Sequence, residues 1–193
     1  MRKRLSTNPT STDEPREAFL VDADCDPELV ALLRKVGFRA RGVWTLRLSG
    51  ESKHVNEDTG FLIWAREHGC ILVCHDLHGD SKTKYAFWSE MYYRGGHLIR
   101  IGGQPGQSAL LALGKILAHR PTWQEKFAED SGEAVVHPSG CNFTNAATKF
   151  ERTRYALRLP FEDPALPLRT RTPLPRRPRA KKQKPPPASS PLL

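Results

Sequence analysis

Two short stretches, AFLVDAD at residues 18–24 and CILVCHD at residues 70–76, run through apolar side chains and stop on aspartate. Apolar runs this short read as buried strands. Burying an unpaired carboxylate costs several kcal/mol or forces it to take up a proton. Asp22 and Asp76 must therefore stand at the open ends of their strands, closing a turn or meeting a cation.

Helical stretches separate the strands. Asp26-Pro27 offers an N-cap and a proline at the first helical position. PELVALLRKVG then carries Leu29, Leu32, Leu33 and Val36 on one face and stops at Gly37. FRARGVWTLRL contains a second strand, GESKHVNE is a loop, and DTGFLIWAREHG is a helix ending at Gly69. CILVCHD is the third strand, SKTKYAFWSEMYYRGG a helix closed by two glycines, and HLIRIGG the fourth strand. QSALLALGKILAHR forms an amphipathic helix, and PTWQEKFAED a short one from Pro121. EAVVHP and RTRYALRLP are candidates for late strands. This alternation predicts a three-layer α/β domain with a mainly parallel sheet, over residues 18–163.

Charge separates the ends from this body. From Pro164 to Leu193 there are eight basic residues, no acidic ones and nine of the sixteen prolines, so only +1 of the formal +9 belongs to residues 1–163. That tail is expected to be extended or disordered. Its Arg176, Arg177, Arg179, Lys181, Lys182 and Lys184 are candidate nucleic-acid contacts, alongside the plainer role of a solubilising linker. Residues 1–17 are polar, rich in Ser, Thr and charge, and are also expected to be disordered. Neither a signal-peptide core nor an apolar run of about 20 residues is seen, which predicts a soluble, cytoplasmic chain without membrane attachment. Cys25, Cys70, Cys74 and Cys141 form no CxxC pair, the pattern of a reduced compartment.

In parallel α/β sheets, sites form outside the carboxyl ends of the strands. Asp22 and Asp24 close the first strand and Asp76 the third, while Asp58 opens the helix before the third strand. Converging carboxylates repel one another unless a hard divalent cation joins them. Mg²⁺ and Mn²⁺ take oxygen ligands and keep several waters. Such a site activates water and stabilises charge on a phosphate. Asp58 and Asp80 each also stand where a helix N-cap is wanted.

The order of these elements resembles the PIN-like nuclease superfamily, in particular its small toxin-type members. FLVDADCDPELVALLRKVGF resembles the family's opening strand and helix, EDTGFLIWAREHGCILVCHD its central block, and HLIRIGG its fourth strand. The resemblance spans about Phe19 to Arg120. It implies a metal-dependent ribonuclease using Mg²⁺ or Mn²⁺. Asp22, Asp58 and Asp76 fall on the family's metal-binding, catalytic acids, with Asp80 as a fourth ligand and Asp24 in support. RNA, a cognate antitoxin protein and a homodimeric partner are the implied associations. The chain departs from the family in three places: Cys74 stands where the family usually has Thr, two positions before the strand-three acid. Asp24 stands where an asparagine often does, and Leu77, His78 and Gly79 separate Asp76 from Asp80. Those departures keep open a catalytically degraded module that binds nucleic acid or a partner protein.

Other chemistries fit less well. Cys70, Cys74, His75 and His78 have zinc-ligand chemistry, but strand alternation sends Cys74 and His75 to opposite faces. DADCD resembles the aspartate pair of haloacid-dehalogenase-like phosphatases, which expects Thr or Val where Asp26 stands. GGQPGQS, residues 102–108, lacks the lysine of a P-loop and the GxGxxG spacing. It reads as a strand-to-helix turn with N–H groups available to a phosphate.

Overall fold

The computed structural model describes residues 17–49, 58–77, 79–104 and 106–159. The GESKHVNE loop, His78, residues 1–16 and the basic tail lie outside the described residues. The chain divides into two units, Met1–Leu157 and Arg158–Leu193, and the sheet with its helices belongs to the first.

The expected α/β architecture is present. β1 (Ala18–Val21), β2 (Arg39–Gly42), β3 (Cys70–Cys74), β4 (His97–Ile101) and β5 (Gly132–His137) run parallel, and β6 (Gly140–Asn145) returns antiparallel to β5. They form one six-stranded sheet in the order β2-β1-β3-β4-β5-β6. The helices are α1 (Glu28–Lys35), α2 (Val43–Ser49), α3 (Asp58–Glu67), α4 (Ser81–Arg94), α5 (Ala109–Ala118), α6 (Arg120–Glu129) and α7 (Ala146–Ala156).

Alternation along the strands divides the core into two layers. Phe19, Val21, Ile71, Val73, Ile99 and Ile101 face α1, α5 and α6, where Leu29, Leu33, Ile116 and Trp123 meet them. Leu20, Leu72, Cys74 and Leu98 face the other way, onto Leu46 of α2, Phe61 and Leu62 of α3, Phe87 and Met91 of α4 and Phe150 of α7. With both faces covered, β1 and β3 have no polar side, which is why their sequences run apolar without alternation.

One expectation needs correction, and two elements are added to the reading. RTRYALRLP is not a strand: residues 152–156 belong to α7, whose N-cap Asn145 accepts the Thr148 N–H at 2.9 Å and whose Phe150 anchors it to the core. The late strand is instead β6, GCNFTN, turned back on β5 through Pro138-Ser139. The second strand ends at Gly42, and VWTLRLS becomes α2, because Val43 and Leu46 both bury on the same layer. Among the described residues no helix is long and apolar enough to cross a membrane.

Glu17, just before β1, ties the first strand to α6. Its carboxylate accepts both bonds of a forked contact from Arg120 Nη2, at 2.7 and 2.9 Å, and another from Gln124. The Arg120 guanidinium also lies 5.0 Å from the centre of the Phe38 ring. Burial raises the Glu17 carboxyl, but the Arg120 hydrogen bond, its own backbone N–H, the Arg120 charge and Gln124 together outweigh that and lower it. The stabilisation is thus full above the ordinary value of 4.5 and is lost as pH falls through the lowered one. Glu17→Gln is expected to cost about 1–2 kcal/mol at pH 7. The gap in melting temperature between wild type and variant should narrow between about pH 5 and pH 3. A gap that stays constant over that range would show that charge does not hold this contact.

Candidate functional site

Because β2 lies on one side of β1 and β3 on the other, successive connections leave β1 in opposite directions. In doubly wound sheets of this order the crevice between β1 and β3, outside their carboxyl ends, is the topological switch point where ligands bind. Of the acids singled out from sequence, Asp22, Asp24 and Asp76 stand at the carboxyl ends of these two strands.

Asp22 follows β1 directly. Its backbone N–H donates to Val73 O at 2.8 Å, extending the β1–β3 pairing by one residue. The side chain is buried, 6% exposed, and its Oδ1 accepts the Ala23 N–H at 2.6 Å. Two residues on, Asp24 crosses to the neighbouring strand. Its Oδ2 accepts the backbone N–H groups of His75 (2.9 Å) and Asp76 (2.8 Å), and its Oδ1 accepts the Cys25 thiol at 3.4 Å. Asp24 thus fixes the backbone on which Asp76 stands. Asp76 itself is exposed at the rim, with Oδ1 accepting the Leu77 N–H at 2.8 Å.

Asp58 reaches the same edge by a different route. α3 hands the chain to β3 at the sheet's amino edge and is about 15 Å long at 1.5 Å per residue. Its first residue, the half-buried Asp58, therefore lies toward the carboxyl edge.

The other candidates have structural duties. Asp80 is the N-cap of α4: its Oδ1 accepts the Lys82 N–H (3.0 Å), the Thr83 N–H (2.9 Å) and the Thr83 hydroxyl (3.0 Å). Those bonds, from the Thr83 backbone first, hold its carboxyl below the usual range. Asp26 clamps two helices, with Oδ1 on the Glu28 N–H at 3.0 Å and Oδ2 on the Ala109 N–H at 3.1 Å.

His75 and Cys74 do point apart. Cys74 joins the α3–α4 layer, while the buried His75 ring donates from Nδ1 to Ile101 O at 3.3 Å, leaving a buried Nε2 with no hydrogen-bond partner among the described residues. The thiols of Cys25 and Cys74 are pushed well up by burial and by the nearby Asp24 and Asp22 charges, so neither is a ready nucleophile or metal ligand.

Among the described residues no three His, Cys, Asp or Glu side chains converge to hold a metal ion. A closed cage is not what Mg²⁺ needs, however. It commonly takes one or two carboxylates, several waters and a substrate phosphate. Asp22 at the floor and Asp76 at the rim, on neighbouring strands, suit that open arrangement. Comparison with protein-family models, with curated proteins and with solved structures finds no match.

Proposed function

We propose that this chain is a metal-dependent nuclease of the PIN-like kind that hydrolyses phosphodiester bonds in RNA. One observation carries the reading: the buried Asp22 and the exposed Asp76 follow the neighbouring strands β1 and β3 at the switch-point crevice, and Asp24 braces the backbone of Asp76. Asp22 and Asp76 hold Mg²⁺ or Mn²⁺, and Asp58 approaches from the first turn of α3. Asp24 acts through the backbone of Asp76 and keeps the rim carboxylate in place. When bound, the ion lowers the pKa of an attached water and offsets charge on the phosphate. A toxin-type role with a cognate antitoxin belongs to this proposal through the family resemblance.

Purified protein is expected to cleave single-stranded RNA with Mg²⁺ or Mn²⁺ and to fall silent in EDTA. Asp22→Asn, purified in parallel, should bind Mn²⁺ at least tenfold more weakly by calorimetric titration and lose cleavage. Equal cleavage by both proteins, or none from well-folded wild type with Mn²⁺, would sink the nuclease reading.

The lack of a three-ligand cluster among the described residues, and the capping duty of Asp80, favour a second reading: a catalytically silent PIN-like module that binds nucleic acid. Retention of RNA without a Mn²⁺ site would select it.

A further inference from the structure

One strand along the same edge, the turn from β4 to α5 carries a second concentration of polar groups. Lys115, on the second turn of α5, is only 5% exposed. Its Nζ donates to Gly102 O at 2.7 Å and to Gln107 Oε1. Both acceptors are neutral, and an ammonium has three hydrogens to place. Among the described residues no carboxylate pairs with it and no third acceptor meets it. A buried cation satisfied only by neutral oxygens is costly, and a counter-anion relieves that cost.

Gly102 also brings a second basic group to this point. A Cβ there would fall 2.2 Å from the His137 ring, so the imidazole lies directly on the glycine backbone. His137 closes β5, and its carbonyl accepts from His119 Nε2 at 2.8 Å, which fixes its backbone. Lys115 and His137 both line an open cleft of about 440 Å³. The rest of its wall includes Ser108, Leu111, Gly114 and Pro138, with no acidic residue. Ser108, Leu111, Gly114, Lys115 and Ala118 recur at helical spacing and form one face of α5. At Gly114 a Cβ would meet nothing within 4 Å, so this glycine leaves the cleft wide.

The N-terminus of α5 is not the anchor. Asp26 takes the Ala109 N–H and Ser108 takes the Leu111 N–H at 3.4 Å. An anion at this turn therefore has Lys115 and His137 as its partners.

We infer that this cleft is a binding site for a phosphate monoester, with Lys115 and His137 on the phosphate and the apolar wall of Leu111, Ala118 and Pro138 against the body that carries it. GGQPGQS lacks a lysine within the turn, and Lys115 supplies one from inside the following helix. A free mononucleotide and the phosphorylated end of an RNA share this chemistry. The site uses none of the acids assigned to cleavage, so it stands whether or not the nuclease reading does.

The test uses full-length protein in metal-free buffer with EDTA, so that cleavage plays no part. Adenosine 5′-monophosphate, adenosine and inorganic phosphate are titrated by calorimetry, followed by a short oligoribonucleotide with either a 5′-phosphate or a 5′-hydroxyl. The monophosphate is expected to bind and adenosine not to. Lys115→Gln should weaken binding at least tenfold. Two further variants leave Lys115 in place. Gly114→Gln fills the cleft with a better helix former, and Gln107→Glu supplies the missing counter-charge. Both should keep or raise the melting temperature while losing monophosphate binding, and Asp22→Asn should bind like wild type. Preference for the 5′-phosphorylated oligonucleotide over the 5′-hydroxyl form assigns the site to an RNA end, and no preference assigns it to free nucleotide. Absence of monophosphate binding in wild type, or binding unchanged in Gly114→Gln and Gln107→Glu, overturns the inference. Unchanged binding in both variants would place the phosphate elsewhere on the chain.

Discussion

Glu133→Ala is expected to destabilise the domain by about 3 kcal/mol, the effect of removing the anion from a buried ion network. Glu133 sits on β5 with its side chain 2% exposed. One oxygen accepts from Arg100 Nε on β4 at 2.7 Å, and the other pairs with Lys149 Nζ on α7. The lysine also lies 5.2 Å from the centre of the Trp88 ring on α4. One carboxylate therefore joins two strands and two helices of the α3–α4 layer. Removing it leaves two cations facing each other over a cavity. Arg100 and Lys149 keep 33% and 21% side-chain exposure, so both can turn partly to water, which holds the loss near the lower end of the range. Glu133→Gln keeps the shape and one acceptor and should cost less, about 1–2 kcal/mol. For a domain of this size 3 kcal/mol corresponds to roughly 10 °C in melting temperature. Urea unfolding should place the variants in the order wild type, Glu133→Gln, Glu133→Ala. An alanine variant as stable as wild type would mean that the two cations already find water and that Glu133 holds nothing.

Much of the fold was legible because burial on both faces leaves a plain mark. β1, β3 and β4 are short apolar runs, and no helix starts inside them. β6 left no such mark: it is an edge strand with half-buried side chains, and Gly140, Asn142 and Asn145 dilute its alternation. α7 was misread for the opposite reason. Arg152, Arg154, Tyr155 and Leu157 suggest a strand locally, while the residues that make it helical, Asn145, Ala146 and Phe150, lie upstream. The site was legible in its parts and not in its assembly. That Asp22 and Asp76 end apolar strands is a local fact. That those strands are neighbours depends on the order β2-β1-β3, which no local pattern specifies. The bonds from Asp24 to residues 75 and 76, and from Lys115 to Gly102, join positions far apart in sequence or on different elements. Asp80 shows the converse. Its spacing from Asp76 departs from the family pattern, and its carboxylate caps α4.

Asp24 offers the sharpest test of how the crevice is held. Asp24→Ala should leave the His75 and Asp76 N–H groups without their acceptor at the end of β3. Each unsatisfied donor costs about 1–3 kcal/mol when shielded from water. Asp76 is exposed and its N–H can recruit water, so about 2–4 kcal/mol is expected for the pair. Asp24→Asn retains a carbonyl oxygen at the same place. It should keep both bonds in weaker, uncharged form and cost about 1 kcal/mol. Activity separates a brace from a ligand. If Asp24 works by holding the Asp76 backbone, Asp24→Ala should lower RNA cleavage at least tenfold and loosen Mn²⁺ binding, while Asp24→Asn recovers most of both. The comparison should be made well below the melting temperature of the alanine variant, so that unfolding contributes nothing. If Asp24 instead touches the ion, the charge is what matters. Asn would then lose cleavage as completely as Ala, although its stability stays near wild type. That outcome would place Asp24 beside Asp22 and Asp76 in the metal site and remove the bracing role derived from its bonds to residues 75 and 76.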